Sequence, residues 1–176
     1  PILRRPEGMS CRAAAFYIDP WRPVPTAVTT HGHGDHARAG MGVYHATAAS
    51  IPILQWRLGE QVLHAHDYGE AFQLGQARVS LHSAGHVLGS AQVRIEVGGR
   101  VWVASGDYKR QHDPTCAPFE VVPCDVFITE ATFGLPVYQW PDTPRVIGQI
   151  ADWRRACAER GRAAILYCYA LGQAPR

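Results

Sequence analysis

Thr30-His31-Gly32-His33-Gly34-Asp35-His36, lying directly after the apolar run Ala27 to Thr29, decides how this chain is read. Three histidines and an aspartate fall within six positions, 31 to 36. Neutral imidazole nitrogens and carboxylate oxygens are the donors that a borderline cation such as zinc accepts, at about 2.0 to 2.2 Å. Gly32 and Gly34 lack a Cβ, so the backbone is free to fold tightly and turn His31 and His33 toward one ion, Asp35 and His36 toward another. Such a polar cluster would otherwise stabilise a fold poorly, which makes a metal centre the better account of it.

Two later turns are expected to complete the ligands. Ser83-Ala84-Gly85-His86 follows a β-type run ending at His82, and Ser105-Gly106-Asp107 follows one ending at Ala104. Loops at strand ends on one sheet edge gather into sites, so His86 is expected to complete the first metal's shell and Asp107 to bridge both ions. The expected metal set is thus His31, His33, Asp35, His36, His86 and Asp107, holding two divalent cations, zinc first and manganese as the alternative. Asp19, closing the run Phe16 to Ile18, reads either as a support hydrogen-bonded to the His31 loop or as a turn-forming Asp-Pro. His45, His64, His66, His82 and His112 have no partners at ligand spacing and read as structural or exposed.

Around these motifs, short β-type runs dominate: Phe16 to Ile18, Ala27 to Thr29, Ala77 to His82, Ala91 to Val97, Arg100 to Ala104 and Val126 to Thr129. Gly98-Gly99 marks a hairpin. Helices are predicted over Ile53 to Leu58 and from Thr143, with Pro144 in its first turn, to just before Gly161. Ala163 to Tyr169 reads as a further strand. A hydrophobic content of 47% over 176 residues suits a globular chain, and its apolar stretches are too short to cross a bilayer, so no membrane partner and a cytoplasmic location are expected. The five cysteines are odd in number and include no CxxC pair, which argues against a disulfide framework and for buried free thiols. A net charge of +2 does not force a nucleic-acid partner, although all the basic residues but Lys109 are arginines, whose planar fork suits phosphate.

With these motifs in place, HGHGDH, Gly85-His86 and Gly106-Asp107 resemble the metal motifs of the metallo-β-lactamase superfamily. Gly85 to Ala91 (GHVLGSA), Ser105 to Tyr108 (SGDY) and Thr129 to Gly134 (TEATFG) resemble its β-CASP branch, whose members are nucleases of DNA or RNA. Phe16 to Val24 (FYIDPWRPV), Ser105 to Arg110 (SGDYKR), Asp113 to Cys116 (DPTC) and Ile128 to Tyr138 (ITEATFGLPVY) are similar to the bacterial DNA-ligase-associated exonuclease family. The resemblance implies an α/β (α+β) fold, the αββα sandwich of the superfamily, incomplete at its C-terminus. Residues 1–134 would be the N-terminal part of the metallo-β-lactamase domain and residues 135–176 the beginning of a β-CASP-like insertion.

The same resemblance implies a DNA exonuclease of ligase-dependent repair, with an ATP-dependent DNA ligase and a helicase as associated proteins. Asp35 and Asp107 would serve catalysis through the metals, and Glu130 would orient a catalytic histidine supplied farther along the chain. Without that histidine, and a further one completing the second metal's shell, the 176-residue chain is expected to hold its second metal weakly and cleave poorly. Tyr169 to Arg176 (YALGQAPR) resembles the family's YALGKAQR stretch but carries Gln173 and Pro175 where Lys and Gln are usual. An RNA-processing nuclease and a non-catalytic metal-binding fragment are the alternatives.

Overall fold

Side chains that alternate at a period of two give strands with one apolar face, and two sheets bury those faces against each other in the computed structural model, which describes residues 2–175. The first sheet runs, in sequence order, through β1 (Ile2–Arg5), β2 (Gly8–Cys11), β3 (Phe16–Ile18), β4 (Thr26–Val28), β5 (Val43–Thr47) and β6 (Leu63–His66). Its first three strands are antiparallel and its last four parallel. The second sheet contains β7 (Ala71–Leu74), β8 (Ala77–Ser83), β9 (Ala91–Val97), β10 (Arg100–Ala104) and β11 (Val126–Ile128), in the order β11-β10-β9-β8-β7. Only the β10–β11 pair in it is parallel.

Cys11, Phe16, Ile18 and Val28 from the first sheet meet Val79, Leu81, Val93 and Ile95 from the second. Burying each large aliphatic or aromatic side chain contributes about 1.5 to 3 kcal/mol. On the outer face of the first sheet, Ala46 of β5 packs with Leu54 of α1 (Ile51–Leu58), which has proline in its first turn and stops at Gly59, φ 71°. The result is the mixed α/β architecture expected, with helix, sheet and sheet layered in that order. This layering sends the C-terminal ends of β3 and β4 to one edge, and those of β8, β10 and β11 likewise to one edge of their own sheet.

By internal packing the chain separates into Pro1–Glu130 with Ala170–Arg176, and Ala131–Tyr169. The second unit carries α2 (Thr143–Glu159), none of whose residues is buried, and a cluster in which Phe133 meets Tyr138 and Trp140 edge to face. The strand expected at Ala163 to Tyr169 does not form. An apolar run becomes a strand only when its backbone finds a partner row, and here Ile165, Leu166 and Tyr167 stand exposed without a ladder. Of the free cysteines only Cys11 is buried, which corrects the expectation for the other four, placed in loops and in the second unit. No helix among the described residues is long and apolar enough to cross a membrane.

Candidate metal centre

His31 follows β4 and is fully buried, so its ring must be held by protein groups. Asp19, at the end of the neighbouring β3 with φ 43°, supplies the anchor. Its Oδ1 accepts from the Thr30 backbone N–H at 2.8 Å, and its Oδ2 accepts from the Thr30 hydroxyl at 2.6 Å. That hydroxyl has a single proton, already given to a carboxylate, so toward His31 Nδ1 at 3.1 Å it accepts. The tautomer follows: His31 carries its proton on Nδ1 and presents a bare Nε2. Asp19 Oδ2 also lies 2.7 Å from His36 Nδ1, which turns His36 Nε2 outward in the same way.

His33 is oriented from elsewhere. Its Nε2 faces the carbonyl oxygen of Leu171 at 3.3 Å, an acceptor only, so Nε2–H donates there and Nδ1 is left as the ligand atom. His86 sits on the turn after β8, where Ser90 Oγ accepts from the backbone N–H of His86 and of Val87 at 3.0 and 3.1 Å. Asp107 sits on the turn after β10. Gly106 ahead of it has φ 55°, and a Cβ there would come within 2.8 Å of Thr30, so the turn needs glycine on both counts. Gly32, by contrast, is not at positive φ; a Cβ there would meet Ile53 of α1 at 2.6 Å, so its glycine serves close packing against the helix rather than a left-handed turn.

The donor atoms converge. His31 Nε2 is 2.9 Å from His33 Nδ1, His86 Nε2 is 3.3 Å from His33 Nδ1, and Asp107 Oδ2 is 3.9 and 3.7 Å from His31 and His86 Nε2. All four lie within 4.8 Å of one another. Corners of a tetrahedron with bonds of about 2.0 to 2.1 Å stand about 3.3 Å apart, so these separations bracket a zinc-sized cage. The other oxygen of Asp107 turns away: Oδ1 is 3.4 Å from His36 Nε2, which is 3.6 Å from Asp35 Oδ2. Asp35 is the most open member, its side chain 73% exposed. Three nitrogens and one oxygen make one arm, one nitrogen and two carboxylates a looser second, and this donor chemistry fits divalent metal.

Electrostatics separates the arms too. Burial, then the charges of His36 and His86, pull His31 down to about 2 despite the pull of Asp107, which leaves its ring neutral. Burial would also lower His36, but hydrogen bonds to Asp107 and Asp19 outweigh it and push that imidazole up to about 10. The hydrogen bond to His36 outweighs burial at Asp107 and draws its carboxyl down to about 2.

Glu130, just past β11, has its backbone N–H on Ser105 Oγ at 3.2 Å and lines a cleft of about 330 Å³ with Asp19, Asp35, His36 and Asp107. Thus the structure gathers all six expected ligands at one edge, with Glu130 nearby. Sequence reasoning did not find Thr30, Ser90 or the Leu171 carbonyl as their supports. A hydroxyl directly before the first histidine was a readable signal for Thr30; the Leu171 contact joins residues 138 apart and had none.

No family model matches the sequence. It is 27% identical over 94% of its length to a protein of Opitutus terrae named "Probable DNA ligase", of which it covers 16%. It is 32% identical over 64% of its length to an endoribonuclease of Gibberella zeae, covering 14% of that chain, and 26% identical over 87% to an RNase J-like protein of Methanocaldococcus jannaschii, covering 42%. The chain therefore spans less than half of each of these relatives. Among solved structures, a protein of unknown function from Enterococcus faecalis matches 76% of the chain and 39% of its own with a TM-score of 0.50 at 12% identity, a likeness of fold. The two-sheet sandwich, the histidine-rich turns at its edge and the nucleases among its relatives agree: the chain is similar to the nucleases of the β-CASP branch of the metallo-β-lactamase superfamily.

Proposed function

We propose that this chain is the metal-binding part of a metal-dependent phosphodiester hydrolase acting on nucleic acid, with DNA at an exonucleolytic end as the leading substrate. The observation that carries it is the opposed aim of the two Asp107 oxygens, one toward His31 and His86, the other toward His36. His31, His33, His86 and Asp107 would hold one divalent ion, Asp35, His36 and Asp107 a second, zinc before manganese. When bound, such ions lower the pKa of water from about 15.7 to about 7 and polarise a phosphoryl oxygen. The protein's own contribution is orientation: Thr30, held by Asp19, fixes the tautomer of His31, Asp19 orients the ring of His36, and Leu171 fixes the tautomer of His33. Glu130 lines the same cleft and is assigned the role of orienting an acid group toward the leaving oxygen.

A ligase-associated repair role, with a DNA ligase and a helicase as partners in the cytoplasm, is supported by the 27% identity to the ligase-named relative. RNA cleavage is the second reading, favoured by the endoribonuclease and RNase J-like relatives. Within this reading, residues 1–134 belong to the metallo-β-lactamase domain and residues 135–176 begin the insertion. End-labelled single-stranded DNA and RNA of one length, incubated with zinc- or manganese-loaded protein, test both. Metal-dependent shortening of DNA by single nucleotides is expected; preferential loss of RNA selects the second reading, and no cleavage of either by the metal-loaded protein refutes both.

A further inference from the structure

The cleft beside the second arm has a wall that metal chemistry does not require. Met9, Ile18, Ala104 and Ile128 give its lining an apolar part, and Trp21 and Arg38 line the same cleft as Asp35, His36 and Asp107. Trp21 is held by its backbone, whose N–H donates to the Glu7 carbonyl at 2.7 Å, yet the residue is left 47% exposed. A large aromatic that lines a polar cleft and stays half exposed is not spent on packing, whereas a flat π-surface is what an unstacked base needs. Arg38 is the one permanent cation among the described residues lining the cleft, and its Nε–H donates to the Asp35 carbonyl at 3.3 Å, tying the guanidinium to the ligand loop. At about 330 Å³ the cleft lies at the low end of small-ligand pockets, which run about 300 to 1,000 Å³, and so suits one nucleotide.

We propose that Trp21 and Arg38 form a nucleotide subsite that selects single-stranded ends: the indole stacks on the base next to the scissile linkage and Arg38 pairs with a phosphate beside it. The inference rests on the phosphodiesterase reading above and narrows its substrate to unpaired nucleotides, because a base inside a duplex offers no free face to Trp21. Electrostatically the cleft is otherwise lined by the carboxylates of Asp19, Asp35, Asp107 and Glu130, which repel phosphate until cations occupy the centre. Trp21 supplies attraction that does not depend on charge.

The test compares wild type, Trp21→Ala, Trp21→Phe and Arg38→Ala, each checked for zinc content and thermal unfolding. Binding of a fluorescein-labelled, phosphorothioate hexathymidylate is followed by anisotropy, with a hexauridylate and a blunt duplex as further arms. Trp21→Ala should weaken the single strand about 5- to 150-fold while Trp21→Phe restores most of it, all with unchanged zinc content. Arg38→Ala should reduce the slope of log affinity against log salt by about 0.7. Binding by Trp21→Ala equal to wild type, or a duplex bound as tightly as the single strand, overturns the subsite. Cleavage separates this from its parent reading: a metal-loaded wild type that binds but cleaves nothing sinks the hydrolase, whereas cleavage with an unchanged KM in Trp21→Ala sinks the subsite alone.

Discussion

Histidines gather twice in this molecule, and the two gatherings behave as opposites. On the turns after β4 and β8, the rings of His31, His33 and His86 meet edge-on, at 81°, 89° and 77°, so their nitrogens aim at one point. Between β5, β6 and β7, His45 and His66 lie within 15° of each other and stack with Phe72, whose ring is 3.6 Å from His66. There the π-faces meet, and one nitrogen pair, His45 Nδ1 and His66 Nε2, shares a hydrogen bond of 2.9 Å. Carboxylates complete the contrast: Asp107 inserts between the first rings, while Glu70 reaches only to 3.9 Å from His66 Nδ1, which has no hydrogen-bond partner. The number of imidazoles is similar in each; the first gathering converges edge-on with an anion in reach, as a metal site requires, and the second packs by stacking without one.

The largest effect that would sharpen this contrast is expected from Asp107→Ala, which removes the carboxylate shared by both arms. Zinc affinity by calorimetric titration should fall more than about 100-fold, whereas His45→Ala should leave it unchanged; equal loss in the two variants would erase the distinction. Asp19→Asn comes next. It keeps the shape but turns an acceptor oxygen into a donor facing Thr30 or His36, and a loss of about 10- to 100-fold in metal affinity is expected from so displaced a support. Full affinity would show that the loop holds its rings without Asp19.

A smaller effect belongs to the stacked group. Burial, then the charges of His66 and His64, lower His45 to about 4, below its ordinary value of 6.5. The unfolded chain therefore binds the extra proton first, so this contribution to stability is intact above pH 6.5 and is lost as pH falls toward 4. His45→Asn, which keeps a hydrogen-bonding atom near Nδ1, should flatten the difference in unfolding free energy between pH 7 and pH 5 by roughly 1 kcal/mol, part exposure screening the full shift. An unaltered pH dependence in urea titrations would reject that origin. Least is expected of His66→Phe, which trades one hydrogen bond for the removal of an unpaired buried nitrogen; stability should change by less than about 1 kcal/mol and zinc content not at all.

Much of the first gathering was legible in the sequence because the residues it brings together sit on motifs local to three turns. β3, β9 and β10 begin and end where period-two alternation places them. The second gathering was not legible, since it depends on β5 and β6 pairing in parallel with His45 opposite His64 and Thr47 opposite His66, a register that no short motif encodes. β1 escaped notice because three of its four residues are exposed, as edge strands often are, and β6 because Leu63-His64-Ala65-His66 lacks the β-branched residues that mark a strand. The expected strand at Ala163 to Tyr169 failed for the converse reason: its composition was right, but composition cannot supply a neighbour.

Asp19 Oδ2 serves Thr30 and His36 at once, and Thr30 in turn steadies His31, so a continuous relay of polar contacts runs from one arm to the other. A ring fixed in one arm would, through the shared oxygen, narrow the swing of the ring in the other. Were both arms to hold a cation, linkage would make that coupling mutual, each occupancy changing the other's affinity by the same factor.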